Sequence, residues 1–237
     1  MAYCFDYRSR GTLDVHFDME AFRNECAEVR ALSPLPDFFQ GEKIDPAIAP
    51  KRIIQTSKHK SWTCFNSPAG VMMVCQAFKD IVDQLEPDVH QFFPVEAVKK
   101  DGSPAVDSQF YFLNVRQRFE AILFDQSTLK WKTVQSGGRT LTLPYHSGGH
   151  QRIYTLSKPE VAGRHMWLSS YLVPSRIFFS DELTEAVRAT KLDSVLRWHP
   201  APEVDEPWIP EDNLKAEMLE RYRVLGPLGG IWPKPAD

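Results

Sequence analysis

The sequence predicts an α+β fold, a central, mostly antiparallel sheet with a few helices packed on it. The stretch from Phe92 to Phe119 carries the first observation. Phe93, Val95 and Ala97 alternate with Pro94 and Glu96, the period-two pattern of a strand with one buried face. Lys99-Lys100-Asp101-Gly102 turns the chain, with Asp-Gly as its tight point. Phe110-Tyr111-Phe112-Leu113 is an unbroken apolar run, which suits a strand buried on both faces near the middle of a sheet. The second observation is a helical stripe just upstream. After Ser67-Pro68, an N-cap residue with proline at the first helical position, Val71, Val74, Phe78, Ile81 or Val82, and Leu85 share one face, while Lys79, Asp80, Asp83 and Glu86 take the other. The third is composition: 15 Phe, 6 Trp, 7 Tyr and 18 Pro favour many strands and long ordered loops over a helical bundle.

At 237 residues, 43% apolar and 25% charged, the chain suits one large domain or two small lobes with a self-sufficient core. The expected organisation is an N-terminal segment over 1–66, an α+β core over 67–199 and an acidic, proline-rich tail over 200–237. The start, MAYCFDYRSRG, is charged and has no apolar signal region, and no run approaches the roughly 18 apolar residues of a spanning helix. A cytoplasmic protein with no membrane partner is therefore expected. Cys4, Cys26, Cys64 and Cys75 form no CxxC pair and are expected as free, mostly buried thiols. A net charge of −3 offers no basic excess for general nucleic-acid binding. Residues 1–50 carry 5 Lys/Arg against 9 Asp/Glu, residues 51–200 carry 19 against 14, and residues 201–237 carry 4 against 8, so two acidic ends flank a mildly basic middle.

In chain order, Tyr3 to Tyr7 alternates as a first strand, closed by Arg10-Gly11. Met19, Phe22, Cys26, Val29 and Leu32 fall at helical spacing, with Asp18 placed to cap the start and Ser33-Pro34 to stop the end. Prolines and Gly41 make 35–50 a surface loop, and Arg52 to Gln55 is a short strand. The helix after Ser67-Pro68 ends at Pro87 and feeds the Phe92–Ala97 strand. Ser136-Gly137-Gly138 and Ser147-Gly148-Gly149 flank the alternating Thr140 to Leu143, which predicts a β-meander continued by Ile153 to Leu156. Met166–Leu168 and Ile177–Phe179 are short apolar strands. Ser180 caps a helix whose first turn holds Asp181 and Glu182 and whose buried face offers Leu183, Ala186 and Val187. Leu192 to Trp198 reads as a last strand, and Glu211 to Arg223 as a short helix before an extended tail.

Few constellations carry chemistry. His146 and His150 have H-x3-H spacing, but the two glycines between them favour a turn, and no cysteine pair or HExxH glutamate accompanies them. A surface hairpin is the expectation, with no metal and no cofactor. Neither glycine pair matches a phosphate loop, and no GxSxG elbow is present. The pairs Asp181-Glu182 and Glu211-Asp212 open helices, where the macrodipole accounts for them. Arg116 and Arg118 read as solvated flanks of the central strand. One stretch invites a functional reading. Glu203, Asp205, Glu206, Glu211 and Asp212 meet no basic residue until Lys215 and surround Trp208. Asp205, Glu206, Trp208, Glu211 and Asp212 are accordingly the candidate partner-binding residues, the aromatic ring as anchor and the carboxylates as steering charge. The competing reading is a solvated connector whose tryptophan packs on its own core.

AFKDIVDQLEPDVHQFFPVEAV, followed after a turn by FYFLNVRQRFEAI, resembles the bacterial immunity proteins of polymorphic-toxin systems, specifically the myxobacterial-type domain numbered as the eleventh family. GRHMWLSSYLVPSRIFFSDELTEAVRATKL is similar to that family's closing motif, and together the blocks span about residues 67–198. The resemblance implies a non-enzymatic α+β protein that binds a cognate toxin in the cytoplasm and protects the producing cell, with a nuclease as one class of toxin. An acidic inhibitor set against a nucleic-acid groove suits that implication electrostatically. The alternative from a different class is a hydrolase acting on a modified nucleotide or protein through His146, His150 or His165.

Overall fold

The computed structural model describes residues 1–7, 15–17, 38, 40–55, 62–67, 71–136, 139–145, 153–172 and 175–225. Its strands are β1 (Ala2–Tyr7), β2 (Val15–Phe17), β3 (Arg52–Gln55), β4 (Phe65–Asn66), β5 (Met73–Cys75), β6 (Gln91–Lys99), β7 (Phe110–Asn114) and β8 (Arg118–Phe119). They continue as β9 (Lys130–Ser136), β10 (Arg139–Tyr145), β11 (Leu156–Ser157), β12 (Met166–Ser169), β13 (Ile177–Phe179), β14 (Leu196–Ala201) and β15 (Glu203–Val204). The helices are α1 (Gln76–Leu85), α2 (Lys158–Val161), α3 (Asp181–Ala189), α4 (Pro210–Asn213) and α5 (Ala216–Leu225). The α+β class holds. Its strands form two main sheets instead of one, in two compact units: Met1–Phe5, Gln117–Thr184 and Trp198–Asp237 make the first, and Asp6–Arg116 with Glu185–Arg197 the second.

The second unit holds a six-stranded sheet in the order β2-β3-β6-β7-β5-β4, in which only β3 and β6 run parallel. Phe93 faces Phe112 and Val95 faces Phe110 across β6 and β7, as the alternation and the unbroken run require. These four side chains join Ile53, Met73, Phe38 and Ile44 in one buried cluster. The turn after β6 closes with the Gly102 N–H donating to the Lys99 carbonyl at 3.0 Å, and Gly102 takes φ +81°, a left-handed value that costs glycine nothing. At the other end of the strand pair, the buried His90 imidazole donates from Nε2 to the Glu86 carboxylate at 2.8 Å, because its Nδ1 accepts the Arg116 N–H at 3.1 Å.

The helix of this unit begins later than its apolar stripe predicts. α1 starts at Gln76, with Cys75 at its N-cap, and Met73 to Cys75 form a strand beside β7. Val71 to Cys75 is an unbroken apolar run, which a helix stripe and a strand buried on both faces both accommodate. Pairing of Met73 to Cys75 with the central strand satisfies that backbone, and Val71 to Val74 are buried, so the sheet wins the segment.

The first unit holds a five-stranded sheet in the order β14-β1-β13-β12-β8. Its core stacks Phe119, Trp167 and Phe178, the last two 5.7 Å apart and nearly parallel, around the buried Tyr154 and Leu156. Glu120 is a buried carboxylate at the β8 exit. One oxygen accepts the Ala121 and Ile122 N–H groups at 3.1 and 3.0 Å, and the other accepts the Ser169 hydroxyl at 2.7 Å and the Tyr171 N–H at 3.0 Å. Ser180 caps α3 as expected, its hydroxyl accepting the Leu183 N–H at 3.1 Å.

Four further expectations differ from the structure. The meander stops at the β9–β10 hairpin among the described residues, because Leu156 and Ser157 pair in parallel with Glu203 and Val204. The last predicted strand starts at Leu196, after a turn over 191–195. The helix predicted over Glu211 to Arg223 is split at Leu214 and Lys215 into α4 and α5. Arg118 is buried, its Nη2 donating to the Ser170 carbonyl at 3.2 Å, so it is no solvated flank. The helix expected from Asp18 to Leu32, the turns at Gly137-Gly138 and 147–149, and the tail beyond 225 lie outside the described residues.

Candidate functional site

The acidic stretch after Pro202 is a strap fastened at several points to the first unit's core. β15 pairs in parallel with β11, and the Leu156 N–H donates to the Pro202 carbonyl at 2.8 Å. The Ser157 hydroxyl donates to the Glu206 carbonyl at 2.6 Å. Pro207 and Pro210 keep the intervening backbone extended, and Pro210 then opens α4, where its missing N–H costs no helical bond. Asn213 locks the far end: its side chain is buried, its Oδ1 accepts the Phe124 N–H at 3.0 Å, and its Nδ2 donates to the Ile209 carbonyl at 3.0 Å.

Trp208 is half-buried and points inward. Its indole N–H donates to the Ile122 carbonyl at 3.1 Å, and its ring meets Tyr222 edge-on at 5.8 Å. The ring packs against the first unit's core cluster. Neighbouring residues of an extended segment point opposite ways, so Ile209 points outward and is 41% exposed, one of few large apolar side chains so placed among the described residues. The tryptophan thus packs on the protein's own core, as the competing reading of a connector has it, and the exposed apolar side chain of the strap is the adjacent Ile209. The Trp-Ile adjacency in a proline-flanked segment was the available signal.

Asp205, Glu206, Glu211 and Asp212 are exposed. Three of them have partners that sequence distance hid. Asp205 pairs with Lys158 at 3.1 Å, Glu206 accepts from the Gln126 amide at 2.7 Å, and Glu211 pairs with Arg223 at 3.0 Å. The hydrogen bond from Arg223 holds the Glu211 carboxyl below its ordinary value. All these partners are exposed and long, so the pairs are screened and open to exchange. The strap can therefore present carboxylates around an apolar residue to a cationic surface.

Of the histidines of the enzymatic alternative, His165 alone is among the described residues. His165 sits at the start of α3, its Nδ1 3.0 Å from the Ser180 hydroxyl, while His146 and His150 lie outside them. No three His, Cys, Asp or Glu side chains of the described residues gather as metal ligands would. In the second unit an open cavity of about 610 Å³ lies against β6, walled by Pro46, Pro50, Phe93 and Pro94. Arg52 and Glu96 pair across β3 and β6 at 2.8 Å on its lining, so it offers mainly apolar contact beside a neutralised charge pair. None of the described helices is long and apolar enough to cross a membrane.

No curated protein matches the chain. Residues 34–198, well over half of the sequence, match the model of the immunity protein family Imm11, and with that match the chain belongs to this family.

Proposed function

We propose that the protein binds a cognate toxin acting in the producing cell's cytoplasm and neutralises it by stoichiometric occlusion, without chemistry of its own. Membership of the immunity family carries this reading. The docking surface we assign is the strap: Asp205, Glu206, Glu211 and Asp212 steer the encounter, Ile209 supplies apolar contact, and Trp208 fixes the backbone that presents them. Carboxylates displayed in this way complement a basic groove, which favours a nuclease among the classes of toxin.

Co-expression with the product of the neighbouring toxin gene tests the reading, scored by cell survival and by co-purification at defined stoichiometry. Survival with a stable complex is expected. Rescue at far less than one equivalent, or rescue without a complex, would indicate an enzyme that undoes the damage instead.

A further inference from the structure

Cys64 immediately precedes β4, and Cys75 closes β5. Phe65 faces Val74 and Asn66 faces Met73 in this antiparallel pair, so the next pair outward is Cys64 with Cys75. The Cys75 N–H donates to the Cys64 carbonyl at 3.0 Å. Directly opposed residues project from one face of a sheet. Hydrogen-bonded antiparallel pairs hold their Cα atoms about 5.5 Å apart, inside the roughly 4.4–6.8 Å that a disulfide spans. Each thiol lies near enough to bear on the ionisation of the other. Both are free, Cys64 only 8% exposed and Cys75 half-buried. Cys75 is thus the more exposed of the two residues and Cys64 the more buried.

We propose that Cys64 and Cys75 form a reversible redox modification site, in which a hydroperoxide oxidises Cys75 and Cys64 resolves the product as a cross-strand disulfide. The Cys75 thiolate attacks the outer peroxide oxygen. The O–O bond breaks, and the departing alkoxide or hydroxide takes up a proton, leaving Cys75 as a sulfenic acid. The Cys64 sulfur then attacks the Cys75 sulfur, the S–O bond breaks, and the hydroxide leaves as water with the Cys64 proton. Two thiols lose two electrons and the peroxide gains them. A dithiol reductant reverses the step by exchange.

The division of labour between the sulfurs follows from their surroundings. The Cys64 thiol, by hydrogen bonding, holds Cys75 down to about 7, against the opposing effect of burial. The N–H groups of Phe78 and Ala77 lower it further, without a hydrogen bond of capping geometry. The same pairing, together with burial, pushes Cys64 up. Cys75 is therefore the nucleophile and Cys64 the proton-bearing partner. Cys4, 1% exposed, faces Phe178 across its sheet.

The test treats the reduced full-length protein with hydrogen peroxide and follows each cysteine by maleimide tagging and peptide mass mapping. Expected is a Cys64–Cys75 linked peptide pair, two hydrogens lighter than the reduced peptides and restored by dithiothreitol, with Cys75 consumed about tenfold or more faster than Cys4. In Cys64→Ser, dimedone should capture a persistent Cys75 sulfenic acid. Mapping of the unsubstituted protein decides even if that variant fails to fold. Oxidation of Cys4 or Cys26 at a rate comparable to Cys75, or linkage only after denaturation, would overturn the proposal, as would a Cys64→Ser protein that folds and yields no dimedone adduct.

Discussion

Glu120 shows what a single buried polar group does in this protein. Its two oxygens accept four donors from Ala121, Ile122, Ser169 and Tyr171, joining the β8 exit to the end of β12 and the turn after it. Desolvation nevertheless raises its carboxyl above the ordinary value, with the hydrogen bonds pulling the other way. The protonated form keeps its place because the Ser169 hydroxyl can turn to accept from it. Glu120→Gln retains the bonds to Ala121 and Ile122, and the Ser169 hydroxyl can turn to accept from its amide, but the amide nitrogen cannot accept the Tyr171 N–H. The substitution should cost about 2 kcal/mol at pH 7 by urea denaturation, the usual magnitude for a stranded buried donor. The pH dependence has a definite sign. A raised folded value means that the stabilising share of protonation is fully present below pH 4.5 and is lost as pH rises through the folded value. The stability gap between the native protein and Glu120→Gln should therefore widen as pH falls from neutral toward that limit. A gap that narrows on acidification would show that the hydrogen bonds outweigh desolvation.

At the scale of elements, α1 gives the most direct test of where strand ends and helix begins. A helix starting at Gln76 places Ala77 in the first turn and Gln84 near its end. Proline is tolerated in a first turn and costs about 3 kcal/mol in a helix interior. Ala77→Pro should then lose less than about 1 kcal/mol while Gln84→Pro loses about 3 kcal/mol, read by denaturant midpoint. Equal losses would extend the helix back toward Ser67. The comparison also shows what was legible in the sequence. The β6–turn–β7 unit could be read because alternation, Asp-Gly and an unbroken apolar run all favour one conformation over Phe93–Leu113. The start of α1 could not, because the unbroken apolar run Val71–Cys75 suits a helix and a buried strand alike, and only the distant β7 decides between them. The β11–β15 pairing joins residues nearly fifty positions apart, so no local pattern announces it. The same holds for the candidate site. Its carboxylates and Trp208 were visible as composition, whereas Lys158, Gln126 and Arg223, which pair with three of them, are brought there by the fold.

For the molecule as a whole, the family match ends at residue 198 and the strap begins at Glu203. The proposed docking surface therefore lies outside the matched part, where a change of toxin specificity would leave the matched fold untouched. The strap also lies in the acidic end of the chain, where residues 201–237 carry 8 Asp/Glu against 4 Lys/Arg. Replacing Asp205, Glu206, Glu211 and Asp212 by their amides should leave the melting temperature nearly unchanged, because these exposed side chains make only screened pairs. Association with the toxin should slow by about tenfold at low salt, and the difference should fade as ionic strength shortens the Debye length toward about 3 Å near 1 M. Ile209→Ala should act on the other rate constant, speeding dissociation with little effect on association, as loss of an apolar contact does. Stopped-flow binding across salt concentrations separates the two. If the tetra-amide protein binds with unaltered rates and salt dependence, the toxin docks elsewhere on the immunity protein, and the cavity beside β6, which lies within the family match, becomes the surface to substitute next.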